Sequence, residues 1–182
     1  MNKIMHPVIY NKSWEKLLNI KNFEMKINES MALDHSLHDN KVSIFWSSDK
    51  EKYFEYKVNG CLPGLFLSNV RYTPDNIAVA HEEDKLSFWQ LAHLSLHVAN
   101  YLRYLNCNEN ECIGVFVEPS LEQFIGIWGI LFSGSAYLAL APDYPPERLK
   151  YMIDDSSIKY IFVQEKLKSK VSNLVSEEII LS

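Results

Sequence analysis

The chain has 182 residues, 47% of them hydrophobic, which suits a single domain with a buried core. Its 18 Lys and Arg against 23 Asp and Glu give a formal net charge of −5, and no basic cluster offers a footprint for nucleic acid. Cys61, Cys107 and Cys112 show no C-x-x-C spacing, so they read as reduced thiols and exclude a disulfide framework or a zinc knuckle.

In chain order, residues 1–60 form a lysine- and asparagine-rich extension or linker whose function is not legible. "SWEKLLNIKNF" predicts a short helix there and "VSIFW" a short strand. The opening "MNKIMHPVIYNKSW" has neither an apolar core segment nor a small-residue cleavage site, which points to a cytoplasmic protein. From Leu62 the pattern sharpens. "LPGLFLSNVRYTPD" predicts a helix ending before Pro74, and "NIAVAH" a strand. "DKLSFWQLAHLSLHVANYLRYLN" predicts one long amphipathic helix, with Leu91, Leu94, Val98, Leu102 and Leu105 on a single stripe. Ser87 and Gln90 have the spacing of a capping box.

"ECIGVFVEP" is an apolar run of strand type. Ser120 and Gln123 repeat the capping-box spacing and open a helix over "LEQFIGIWGILF", which Gly134 ends. "AYLALA" predicts a buried core strand, and Pro145 and Pro146 pre-set the first turn of the helix "PERLKYMIDDS". "IKYIFVQ" predicts another strand, "EKLKSKVSNL" a helix and "EEIILS" a last strand. Strands alternating with helices predict an α/β fold, a mostly parallel sheet flanked by helices. The uncharged run from Phe124 to Pro142 nearly reaches bilayer length, but "SGS" breaks it at its centre, so a buried helix leading into a strand is preferred to a membrane span.

Candidate chemistry is sparse. "GILFSGS" approaches the phosphate-loop spacing, but Ser135 stands where the lysine belongs, and the segment runs from helix to strand, the wrong polarity for an anion at a helix N-terminus. His93 and His97 lie one helical turn apart with no third ligand at a recognisable spacing, and read as polar surface histidines. Ser120, Ser133 and Ser135 lack a nucleophile elbow. Asp154 and Asp155 read as helix-ending residues, and Arg148 as a partner for nearby Asp143 or Glu147. By the residues alone, "SGSAYLALAPDYPPERLKYMIDDS" is a helix end, a strand, a proline turn and a helix start. No residue is assigned as catalytic or as a metal ligand, and cofactor-binding residues stay open.

That stretch nonetheless resembles the second core motif of the adenylation domains of nonribosomal peptide synthetases, in the adenylate-forming superfamily. Leu131, Gly134, Ala136, Tyr137, Leu140, Pro142, Tyr144, Pro145, Glu147, Arg148 and Leu149 match a pattern close to L-K-A-G-x-A-Y-V-P-L-D-P-x-Y-P-x-E-R-L. "LSFWQL" resembles the first core motif, L-[TS]-Y-x-E-L, and "CLPGLFLSNVRYTPDNIAV" the start of such a domain. Ala139 replaces the usual proline and Ala141 the usual aspartate, at positions that shape a strand end.

The resemblance implies the first part of an adenylate-forming large subdomain over residues 61–182. It implies a family reaction in which ATP and an amino acid give an aminoacyl-adenylate and pyrophosphate, followed by transfer to a carrier-protein thiol, with magnesium. The phosphate loop, substrate pocket, ribose-binding aspartate, hinge and C-terminal lysine of that family all lie beyond Ser182 in its motif order. Residues 1–182 are therefore expected to be inactive alone and to need neither ATP nor magnesium by themselves. Expected partners are the remainder of an adenylation domain or another synthetase subunit, with self-association through the run 124–142; no membrane is expected. The alternative is a non-catalytic module that keeps half of the fold to contact a partner synthetase.

Overall fold

The computed structural model describes residues 41–45, 53–57, 60–107, 111–174 and 177–181, with side-chain surroundings over 60–107 and 111–174. The helix expected over "SWEKLLNIKNF" lies outside these residues. β1 (Lys41–Phe45) and β2 (Tyr53–Lys57) pair antiparallel, so the strand expected around "VSIFW" is one arm of a hairpin.

α1 (Leu62–Tyr72) carries Pro63 in its first turn, where a missing N–H costs nothing. It ends at Thr73, whose N–H bonds the Asn69 carbonyl, one residue before Pro74. β3 (Ile77–His81) then turns back through Glu82, at φ 53, into β4 (Asp84–Ser87), antiparallel with His81 opposite Asp84. This departs from the expectation twice: residues 84–87 are a strand rather than the first turn of the long helix, and β3 lies outside the parallel sheet. The capping box explains the first difference. Ser87 is extended (φ −72, ψ 166) and accepts from the Gln90 N–H at 3.2 Å, while its own N–H donates to Gln90 Oε1 at 2.9 Å. A helix so capped begins at the next residue, and Leu86 is left to bury its side chain from a strand.

α2 (Phe88–Tyr104) buries Leu91, Leu94, Val98 and Leu102 of the expected stripe, while Leu105 falls at the cap just past the helix and is only partly buried. It stops at Asn106, φ 56, where Cys107 N–H reaches back to Leu102 O. β5 (Cys112–Phe116) leads to α3 (Leu121–Ser133). The second capping box does not form, because the Ser120 hydroxyl makes no cap bond and instead meets Gln164 Nε2 at 3.3 Å. Gly134 closes α3 at φ 88, as expected from a residue without a β-carbon.

β6 (Ala136–Ala139), α4 (Pro146–Asp155) and β7 (Tyr160–Gln164) follow at the expected places in the chain. Residues 165–170, however, form a 3₁₀ helix rather than the start of a regular helix. In "EKLKSK" only Leu167 is buried, which is too little apolar contact to hold a longer helix. β8 (Glu177–Leu181) ends the described chain.

The four strands form one parallel sheet in the order β6-β5-β7-β8. Both faces are covered. Ile113, Val115 and Phe162 point into a core shared with α1, α2 and α3; Phe116, Ile161 and Val163 meet Leu149 and Ile153 of α4 on the other side. Covering both faces is why β5 and β7 are continuous apolar runs. β6 is different: it is an edge strand with Ala136, Tyr137 and Ala139 exposed, not the buried core strand its composition suggests.

Candidate functional site

Chain order and sheet order diverge at β5. The helix after β5 leads outward to β6, whereas the chain leaving β7 continues to β8 on the other side. Crevices at the carboxyl ends of parallel strands at such a reversal are where open α/β sheets bind ligands. Here the loops after β5 and β6 border an open cleft of about 570 Å³, lined by Val117, Glu118, Gln123, Asp143, Tyr144 and Lys170 among others.

The cleft is shaped by a short list of polar contacts. The Gln164 side chain, at the end of β7, accepts from the Glu118 N–H at 3.1 Å through Oε1 and reaches the Ser120 hydroxyl through Nε2, fixing the loop after β5. Lys166 pairs with the exposed Glu118 carboxylate. Lys170 Nζ donates to the Pro142 carbonyl at 3.2 Å and braces the loop after β6. That loop is further held by Leu140 N–H to Val115 O at 2.9 Å and by a turn from Tyr144 N–H to Ala141 O.

Arg148 lies over the Tyr144 ring, 4.0 Å from its centroid. The expected ion pair with Asp143 or Glu147 is replaced by this cation–π contact among the described residues. Arg148 is exposed, so the contact contributes only about 0.5–1 kcal/mol. Neither histidine nor cysteine lines the cleft. The lining brings the Glu118 and Asp143 carboxylates and the Lys170 ammonium to one open cleft, which can accommodate a polar segment or ligand.

The other candidates lie elsewhere. Ser133 and Ser135 are buried and share a 3.0 Å hydrogen bond, and Ser133 also donates to Ile130 O at 2.7 Å; they tie off the end of α3. Asp154 and Asp155 are exposed on the last turn of α4. His93 and His97 are closer than surface histidines need be, with Nε2 atoms 3.2 Å apart and Trp89 stacked flat on His93. Desolvation, then the charge of His97, lowers the His93 pKa to about 4. His97 keeps part of its surface in solvent, and partial desolvation lowers its pKa as well. No cluster of three or more His, Cys, Asp or Glu that could hold a metal occurs among the described residues. Gln164 and Lys170, which shape the cleft, escaped the sequence because their contacts join segments 46 and 28 residues apart, respectively.

The sequence profile of the AMP-binding enzyme family matches residues 66–181, more than half of the chain. Indigoidine synthase of Streptomyces lavendulae is 45% identical over 118 residues, covering 65% of this chain and 9% of the relative. Polyketide synthase PksN of Bacillus subtilis is 29% identical over 189 aligned residues, covering 98% of this chain and 3% of its own length. That alignment includes most of residues 1–60. Among solved structures, the four-domain nonribosomal peptide synthetase AB3403, bound to AMP and glycine, superposes with a TM-score of 0.60 at 26% identity, over 66% of this chain and 9% of that one. The chain thus spans a small fraction of the proteins it matches. No helix among the described residues is long and apolar enough to cross a membrane.

Proposed function

From the premise that the chain belongs to the AMP-binding enzyme family, we propose that residues 61–182 are the opening part of an amino-acid-activating adenylation domain. The complete domain would join ATP and an amino acid into an aminoacyl-adenylate, then pass the acyl group to a carrier-protein thiol in nonribosomal peptide biosynthesis. The observation that carries this is the family match over 66–181 on a parallel sheet with an open cleft at its carboxyl end.

The residues present do not fit ATP and magnesium by themselves. Gly134 ends a helix instead of opening one, so its neighbours offer no row of amide N–H groups to a polyphosphate. The described residues contain no cluster of three or more His, Cys, Asp or Glu that could hold a metal. No step of the reaction is assigned to them. Their role is to build the sheet and cleft against which the rest of the domain closes, with Tyr144 and Arg148 shaping the turn and residues 1–60 as a separate extension. The cysteine usage read from the sequence supports a cytoplasmic setting.

The partner in this account is the remainder of an adenylation domain. Tyr137 is 43% exposed on the edge strand β6, and Phe124, 40% exposed, lies on α3 in the same uncharged run. Residues 1–182 alone should therefore bind a hydrophobic dye or self-associate, and co-expression with the missing remainder should abolish both. A dye-silent monomer at high concentration, unchanged by the remainder, would favour a self-sufficient interaction module.

A further inference from the structure

We propose that His93 and His97 form a two-imidazole chelate on α2 for a divalent transition-metal ion such as Zn²⁺. The spacing alone argued against a metal because no third ligand follows, but a bidentate site completed by water needs none. What decides is the bite. Zinc sits about 2.0–2.1 Å from an imidazole nitrogen, and two nitrogens at tetrahedral angles around it are about 3.3 Å apart. The two Nε2 atoms are 3.2 Å apart.

That separation is already set by the helix and its packing. His93 and His97 occupy successive turns of the same 17-residue helix, which is capped at its start by Ser87 and Gln90. Trp89, one turn earlier, stacks on the His93 ring with an interplanar angle of 3° and centroids 5.3 Å apart. The His97 ring then stands edge-on to His93 at 89°, centroids 4.6 Å apart. Two rings held this way lose little rotamer freedom on chelation, which is the main cost of making a bidentate site.

The same short distance accommodates a shared N–H between the rings. A metal ion takes its place if the donor ring moves its proton from Nε2 to Nδ1, a change of tautomer that releases no net proton. Imidazole ligands suit zinc, nickel and copper, and copper should bind more tightly than zinc. Magnesium and calcium, which require oxygen ligands, should not bind here.

The test uses the full chain. Zn²⁺ titration followed by calorimetry and thermal melting should show binding to the wild-type protein and a rise in Tm of about 2 °C or more at saturating metal. His93→Gln and His97→Gln should each weaken binding at least about tenfold, on the scale of changes near metal sites. The double substitution of His35→Gln and His38→Gln, outside the described residues, should leave the tight binding unchanged. Because either α2 substitution could also loosen the fold, Cu²⁺ electron paramagnetic resonance supplies a reading independent of stability. It should show two coordinating imidazole nitrogens in the wild type and one in each single α2 variant. Binding that survives loss of both α2 histidines, or that disappears with His35 and His38, overturns the proposal. So does a wild-type copper spectrum without two imidazole nitrogens.

Discussion

The α2–α3 crossing supplies the sharpest mechanical prediction. Gly129 lies in α3 where that helix passes against α2. A β-carbon placed there would stand 2.3 Å from Val98 Cγ1, 2.5 Å from Val98 Cβ and 3.0 Å from the Ser95 carbonyl oxygen. Carbon atoms in contact prefer about 3.5–4.0 Å. Rotating the Val98 side chain can remove the first overlap but not the second, since Cβ is fixed to the backbone, nor the third, which is backbone. The helices must therefore separate by about 1 Å to restore contact distance.

Gly129→Ala gains about 1 kcal/mol of helix propensity but costs about 1–3 kcal/mol or more in overpacking. The crossing is central to the larger core, so the upper end of that cost should prevail, giving a net loss of about 2 kcal/mol. At roughly 2–4 °C per kcal/mol for a chain of this size, Tm should fall by about 4–8 °C in calorimetry. Gly114→Ala is the internal comparison: its β-carbon would meet Ile161 Cγ1 at 2.9 Å and Leu140 Cδ1 at 3.1 Å, side-chain atoms that can turn aside. It should cost less than Gly129→Ala. Val98→Ala should rescue Gly129→Ala only partly, because Val98 Cβ remains, whereas Val98→Gly removes both contacts. An unchanged or higher Tm for Gly129→Ala, or a larger loss for Gly114→Ala, would refute the reasoning.

The remaining predictions concern single groups. Ser95 Oγ is fully buried with no hydrogen-bond partner among the described residues, so Ser95→Ala should raise stability by about 1 kcal/mol, read as Tm. Arg148→Ala should lower stability by about 0.5–1 kcal/mol through loss of the contact with Tyr144, and Arg148→Lys should recover part of it. The His93 pKa is depressed to about 4 in the folded chain from 6.5, so the unfolded chain binds the extra proton first as pH falls. Stability should be full above about pH 6.5 and decline toward pH 4, and His93→Gln should flatten that decline in denaturant titrations at pH 7 and pH 5.

How much of this was legible depends on how far each contact reaches along the chain. The Ser87–Gln90 box, the Gly134 helix end and the proline start of α4 were readable because each is closed by residues three or four apart. The same box also limited α2 to residues after Ser87; the β3–β4 hairpin was missed because "DKLS" is short and runs straight into the helical stripe. At Ser120 an identical local signal failed, because Gln164, 44 residues away, takes the hydroxyl. β6 read as a core strand because composition cannot tell a sheet's centre from its edge. The cleft was invisible for the same reason, since Glu118, Asp143 and Lys170 come together only through the order β6-β5-β7. The motif resemblance was readable throughout, as it rests on contiguous stretches that meet these turns.

The central claim, that these residues are scaffold and not the phosphate-handling half of an adenylating domain, is tested most directly by amino-acid-dependent ATP–pyrophosphate exchange. Stabilising the charge that develops on a transferring polyphosphate needs a full set of preorganised donors, which the account assigns to the remainder of the domain. Residues 1–182 should show no exchange above background with any of the common amino acids, and exchange should appear when the same residues are joined to the remainder of an adenylation domain. Robust exchange by the 182 residues alone would contradict the account.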